Sequence, residues 1–166
     1  MDWEKQFAGI ENEALFAHLS QRDIEVADLI SGEWSTSRWH HLVNGEYISV
    51  HLAHGIVFQG LLTEFANDWI LIQRQNGSVL ISSQQIMGIE VAKLKIKPTK
   101  ENKWQWSHAF RWLQMQCAAV VVARIDQSIV EGRIIAVGKD YCALEKRGRN
   151  LELVSYSAVA YVGAAN

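Results

Sequence analysis

Proline is nearly missing from this chain: Pro98 is the one proline in 166 residues. That scarcity, little low complexity and seven tryptophans argue against extensive disorder. Cysteine is also scarce. Two residues, Cys117 and Cys142, do not make a disulfide framework and read as reduced thiols of a cytoplasmic protein. No apolar run approaches the roughly 20 residues of a membrane helix. The opening Met1-Asp-Trp-Glu-Lys5 has neither the basic start nor the apolar stretch of a secretion signal. Catalytic signatures are missing too. Neither cysteine has a histidine beside it in sequence, and there is no glycine-rich phosphate loop. No enzyme activity and no cofactor are expected.

A large excess of positive charge is absent as well. The net charge is −2, unevenly placed. Residues 1–45 hold three basic and eight acidic groups, hence −5; residues 46–95 hold three and four, hence −1. Residues 96–118 hold four and one, hence +3; residues 119–166 hold six and five, hence +1. The N-terminal arm should repel phosphate, and only the connector and the last segment could attract it. The histidines come nearest to a metal site, with His40-His41 at an expected helix end and His51 and His54 around a turn. Zinc needs about four converging nitrogen or sulfur ligands. No acidic or cysteine partner is close in sequence, so they read as polar surface residues.

What is present is a stretch of five short apolar runs from Ile48 to Val91. They are 48–52, 56–64, 69–74, 79–82 and 86–91, with turn residues between them. This is the pattern of a small antiparallel barrel. Ile48, Val50 and Leu52 alternate with Ser49 and His51, which predicts one buried face. Asn76-Gly77 signals a hairpin, since both residues tolerate positive φ. Gly60 inside a strand marks a bend or bulge. Asp68 before Trp69 fits a tight turn whose carboxylate accepts main-chain N–H groups.

The N-terminal segment reads as helical, with Trp3, Phe7, Ile10 and Ala14 at helical spacing; Ser20-Gln-Arg-Asp23 restarts the chain as a second helix, which continues through Gly32 to about Leu42 before an Asn44-Gly45 stop. Residues 92–103 are polar and basic. Residues 104–117 read as a helix with Trp106, Ala109 or Phe110, Leu113 and Cys117 on one stripe.

From Val120 the barrel pattern returns. Val122, Gly132 and Asp140 stand 72 residues after Val50, Gly60 and Asp68. After a turn one residue longer, at Arg147-Gly-Arg-Asn150, the offset becomes 73: Leu153, Val154, Val159 and Val162 answer Leu80, Ile81, Ile86 and Ile89. What recurs is the placing of expected buried residues, of the bend glycines Gly60 and Gly132, and of the turn aspartates Asp68 and Asp140. Trp34-Ser35 and Trp106-Ser107 carry the offset back into the helices. The expected plan is a helical arm over 1–44, a first barrel over 45–95, a basic linker and helix over 96–118, and a second barrel over 119–166.

A helix followed by five bent strands, with a glycine in the second and an Asp-aromatic turn before the third, resembles the Sm-like fold. The chain as a whole resembles a group of small actinobacterial proteins with a helical N-terminus and two such barrels, some labelled Fis-type regulators; no helix-turn-helix is visible here. The resemblance implies a mainly β fold with α, in tandem five-stranded Sm-like barrels. It implies a cytoplasmic, non-enzymatic binding protein. Sm-like proteins that bind RNA use a polar residue near the third strand and a basic-Gly pair before the fifth. The corresponding stretches are Asn67-Asp-Trp-Ile70 with Met87-Gly88, and Lys139-Asp-Tyr-Cys142 with Ala160-Tyr161, and the basic residue is absent from both fifth-strand positions.

Two functions are expected from these readings. The first is protein interaction or self-association through exposed strand edges, with Trp3, Phe7 and Ile10 as a second docking face. The alternative is an RNA- or DNA-binding regulator, with Lys97, Lys100, Lys103, Arg124, Arg133, Lys139, Arg147 and Arg149 as phosphate contacts.

Overall fold

The computed structural model describes residues 39, 41–94 and 103–165, which belong to the compact unit Trp39–Asn166. Trp3, Phe7, Ile10, Lys97 and Lys100 lie outside the described residues.

The first apolar runs form β1 (Tyr47–Leu52), β2 (Val57–Phe65), β3 (Trp69–Arg74), β4 (Gly77–Ser82) and β5 (Ile86–Glu90). A helix, α1 (Trp106–Gln116), precedes β6 (Val120–Arg124), β7 (Ile129–Val137), β8 (Tyr141–Glu145), β9 (Leu151–Ser155) and β10 (Val159–Ala164). The fold is therefore mainly β with α. The ten strands form one antiparallel sheet in the order β5-β1-β2-β3-β4-β10-β6-β7-β8-β9. The expected pair of tandem barrels is not seen among the described residues: the strands of both halves share one open sheet, joined at a seam. β4 pairs with β10 through Ile81↔Tyr161, Leu80↔Val162 and Val79↔Gly163. Its main-chain groups would otherwise be an open edge, and the last strand satisfies them.

On either side of that seam the pairings recur. Val50 faces Phe58 and Ile89; Val122 faces Val130 and Val162. The bulge between Leu62 and Glu64 opposite β3 answers one between Ile134 and Ala136 opposite β8. Ala66 N–H donates to the Trp69 carbonyl at 2.8 Å, and Gly138 N–H to the Tyr141 carbonyl at 2.7 Å.

Alternation along each strand sends apolar side chains to two clusters. One holds Leu42, Ile48, Val50, Leu52, Phe58, Leu62, Phe65, Ile70, Ile72, Val79 and Ile81. The other gathers α1's Trp106, Ala109, Phe110 and Leu113 with Val120, Val122, Leu144, Val154 and Val162. It also takes Ala66, Trp69 and Leu80 from β2 to β4. Phe110 stacks on Tyr156 at 5.2 Å, and the Tyr156 hydroxyl donates to the Gly138 carbonyl at 2.8 Å. Trp106, Ala109, Phe110 and Leu113 are buried as their spacing requires, while Cys117 stands past the helix end in extended backbone and is only half-buried.

Three local expectations need correction. The hairpin loop residues are Gln75 and Asn76, because Arg74 pairs with Gly77, and only Gly77 has positive φ, at 114°. Gly60 is not the bulge, which falls at Thr63. A Cβ on Gly60 would meet the Gln73 carbonyl oxygen and Ile72 Cγ2, so glycine there permits close strand approach. Gly132 repeats this, its Cβ position lying 2.7 Å from the Glu145 carbonyl oxygen. Finally, the chain is not helical at Leu42. Leu42 N–H closes a turn on the Trp39 carbonyl at 3.0 Å, and Gly45 carries the chain onward at φ 85°.

Candidate interaction edge

The sheet order leaves β5 and β9 with one neighbour each. β9 pairs with β8 through Tyr141↔Ser155, Cys142↔Val154, Ala143↔Leu153, Leu144↔Glu152 and Glu145↔Leu151. Among the described residues its other side has no strand partner, and an antiparallel edge of this kind is a template for another strand.

The side chains of that edge are unusual for one left to water. Leu153 is 67% exposed, while its counterpart on β4, Leu80, is 2% exposed. Tyr141 is 44% exposed, while its counterpart Trp69 is 2% exposed. Leu151 is also exposed. The repeat offset places Leu153 among the expected buried positions, and the structure overturns that. The cause lies in what covers each outer face. Over β3 and β4, Trp69 and Leu80 join the cluster that contains α1, β6 and β10. Over β8 and β9, no described element plays that part. Comparing Leu151-Glu-Leu153 with Ser78-Val-Leu80 shows one extra apolar residue facing out, the only sequence signal of this patch.

Beside the edge sits a charged cluster. Arg124 Nη1 donates to Glu152 Oε1 at 2.6 Å, and Lys146 Nζ to Glu152 Oε2 at 2.9 Å. The Lys146 hydrogen bond, and then that of Arg124, holds the Glu152 carboxyl below the usual carboxylate range. Two cations thus share one carboxylate. In the first half the places of Arg124 and Glu152 are taken by Leu52 and Val79, both core residues, and that of Lys146 by Arg74. Neighbouring Asp126 is also held low, by hydrogen bonds from the Ser128 side chain and main chain.

Two of the expected phosphate contacts are engaged by carboxylates. Arg124 is bound to Glu152, and Arg133 Nη2 donates to Glu145 Oε2 at 2.7 Å. Lys103, Lys139, Arg147 and Arg149 are exposed and form no ion pair among the described residues. Lys139 borders a cleft of about 410 Å³ that Asp68, Gln105, Trp106, Asp140 and Tyr156 also line. Both turn aspartates work through their main-chain carbonyls: Asp68 accepts from Ser83 N–H at 2.9 Å and Asp140 from Tyr156 N–H at 3.0 Å. The histidines are dispersed. His51 Nε2 lies 3.1 Å from Glu90 Oε1, His41 is buried, and His54 occupies a left-handed turn position at φ 63°. Among the described residues no three His, Cys, Asp or Glu side chains gather as a metal-binding group. Among them also, no helix is long and apolar enough to cross a membrane.

No family model matches the sequence, and no curated protein matches it.

Proposed function

We propose that this chain is a non-catalytic, cytoplasmic binding module, built as two fused Sm-like barrels, that recognises protein by strand addition at its open sheet edges. The observation that carries the reading is the contrast between Leu80, covered by β10 and its cluster, and Leu153, uncovered on an edge strand of the same sheet. Main-chain hydrogen bonds along β9 supply affinity, and the outward Leu151, Leu153 and Tyr141 supply apolar contacts. The recurrence of the order β5-β1-β2-β3-β4 as β10-β6-β7-β8-β9 supports the Sm-like assignment. The two unpaired cysteines support the cytoplasm. The test is parallel capture from native cell extract with wild type and with Leu151→Lys/Leu153→Lys. A protein retained by wild type and lost by the variant supports the reading; one held equally by both removes the edge from it.

The second reading is nucleic-acid binding, and the cleft beside Lys139, with Trp106 and two glutamines in its wall, favours it. Asp68 and Asp140 in the same wall oppose it. Binding of labelled RNA across a salt series separates the two readings. A steep loss of affinity with salt marks phosphate contacts, and no binding at low salt removes them.

A further inference from the structure

Resting on the edge-binding reading, we propose that β9 receives an acidic peptide as an antiparallel strand, its apolar residues opposite Leu153 and Leu151 and its acidic residues following beside the turn 146–150. That turn opens β9 with a concentration of positive charge. Lys146, Arg147 and Arg149 lie within it, and Arg124 joins it through the carboxylate of Glu152, which Lys146 also binds. Asp126 lies near Arg124. Four basic groups thus meet two acidic ones, Glu152 and Asp126. Arg147 and Arg149 are exposed and form no ion pair among the described residues. The turn is closed by its own main chain. Lys146 N–H donates to the Asn150 carbonyl at 2.8 Å, and Arg149 N–H to the Lys146 carbonyl at 3.1 Å. Its cations are therefore carried on a defined loop at the start of the open strand.

The other half of the molecule supplies the contrast. Before β4 stand Gln75 and Asn76 where Arg147-Gly-Arg-Asn150 stands before β9. The basic residue of that first turn, Arg74, lies over the Phe58 ring at 5.2 Å. β4 has its second partner in β10, and β9 has no second partner among the described residues. The uncharged loop thus accompanies the strand that the fold has filled, and the basic loop accompanies the strand left open. Charge complementarity to an incoming strand accounts for that difference. The direction of the incoming strand follows from the sheet, in which every strand pair is antiparallel. Laid in that sense on β9, a strand passes Leu153, then Leu151, then the turn. Its apolar residues, at alternate positions to share one face, come first and its acidic residues come last.

Fluorescence anisotropy on the full chain, with labelled peptides, tests this. One peptide has alternate valines followed by a run of aspartates, a second has the aspartates first, and a third ends in lysines. The acid-last peptide should bind at least about tenfold more tightly than either of the others, and salt should narrow the margin. Arg147→Gln/Arg149→Asn removes the two exposed cations, and asparagine tolerates the φ of 64° at position 149. In that variant the acid-last and acid-first peptides should come within about threefold of each other. Leu151→Ser/Leu153→Ser should weaken the acid-last peptide at least about tenfold while leaving the circular dichroism spectrum unchanged. These results together support the proposal. Tighter binding of the acid-first peptide overturns it. Equal binding of all peptides, dependent on the two leucines, overturns the acidic partner and leaves the edge reading standing. Acid-last binding that ignores the leucine change is charge attraction alone and overturns the proposal. Labelled RNA held more tightly than the acid-last peptide, through Arg147 and Arg149, overturns it in favour of a phosphate ligand. With no peptide bound, β9 amides that exchange freely with solvent overturn the acidic partner alone. With no peptide bound and β9 amides protected, the edge reading falls as well.

Discussion

At the scale of single residues, two glycines and two buried acids set the sharpest expectations. A methyl group at Gly60 or Gly132 would press on a main-chain carbonyl of the neighbouring strand, and a backbone atom cannot swing aside. Gly60→Ala and Gly132→Ala should each cost about 1–3 kcal/mol, with Gly60→Ala the worse because Ile72 crowds it too. Thermal melts should show a fall of about 2–4 °C per kcal/mol. Burial pushes the Cys142 thiol up to about 12 from its usual 9.0, and burial raises the Tyr156 hydroxyl in the same sense. Both groups stay protonated in the fold where the unfolded chain has lost its proton. The unfolded state then binds fewer protons, so stability should fall as pH rises from about 9 towards 12. Denaturant titrations at stepped alkaline pH check this, and Cys142→Ala should flatten the slope. The role of Gly60 was only half legible in the sequence. A glycine within a strand run announces a special backbone site, but close approach and bulge look alike until the partner strand is known.

At the scale of elements, α1 is the clearest case. Its stripe of Trp106, Ala109, Phe110 and Leu113 is buried, and Phe110 meets both Trp106 and Tyr156. Phe110→Ala should destabilise the protein by about 3–5 kcal/mol, measured by urea unfolding. Strand positions were legible for the same reason as the helix stripe: period-two and helical alternation report burial against the element's own sheet or core. Edge position was not legible. Whether Leu153 is covered depends on what lies across the sheet, and the offset pattern equated it with Leu80 because local sequence records a strand's pleat, not its neighbours. The charged cluster at Glu152 was hidden likewise. The carboxylate that Arg124 binds stands 28 residues further on, too far along the chain for local sequence to pair them.

At the scale of the whole molecule, the seam between β4 and β10 joins two apolar clusters through one hydrogen-bonded sheet. Unfolding of the described unit should therefore be a single transition, with circular dichroism and tryptophan fluorescence coincident. Val162→Pro removes a donor from a strand paired on both sides. It should split that transition, and hydrogen exchange should show β6 and β7 losing protection while β2 and β3 keep theirs.

The order of strands in space also differs from their order along the chain in a way that matters during synthesis. Residues 159–164 follow every other strand in sequence, yet they sit between β4 and β6 in the middle of the sheet. While the polypeptide is emerging from the ribosome, the first five strands can form with β4 still bare. That flank stays adhesive until the final strand is released. A nascent chain stalled shortly before Val159 would thus hold two incomplete halves with no keystone, a species suited to chaperone capture or to pairing wrongly with its neighbours on the same message.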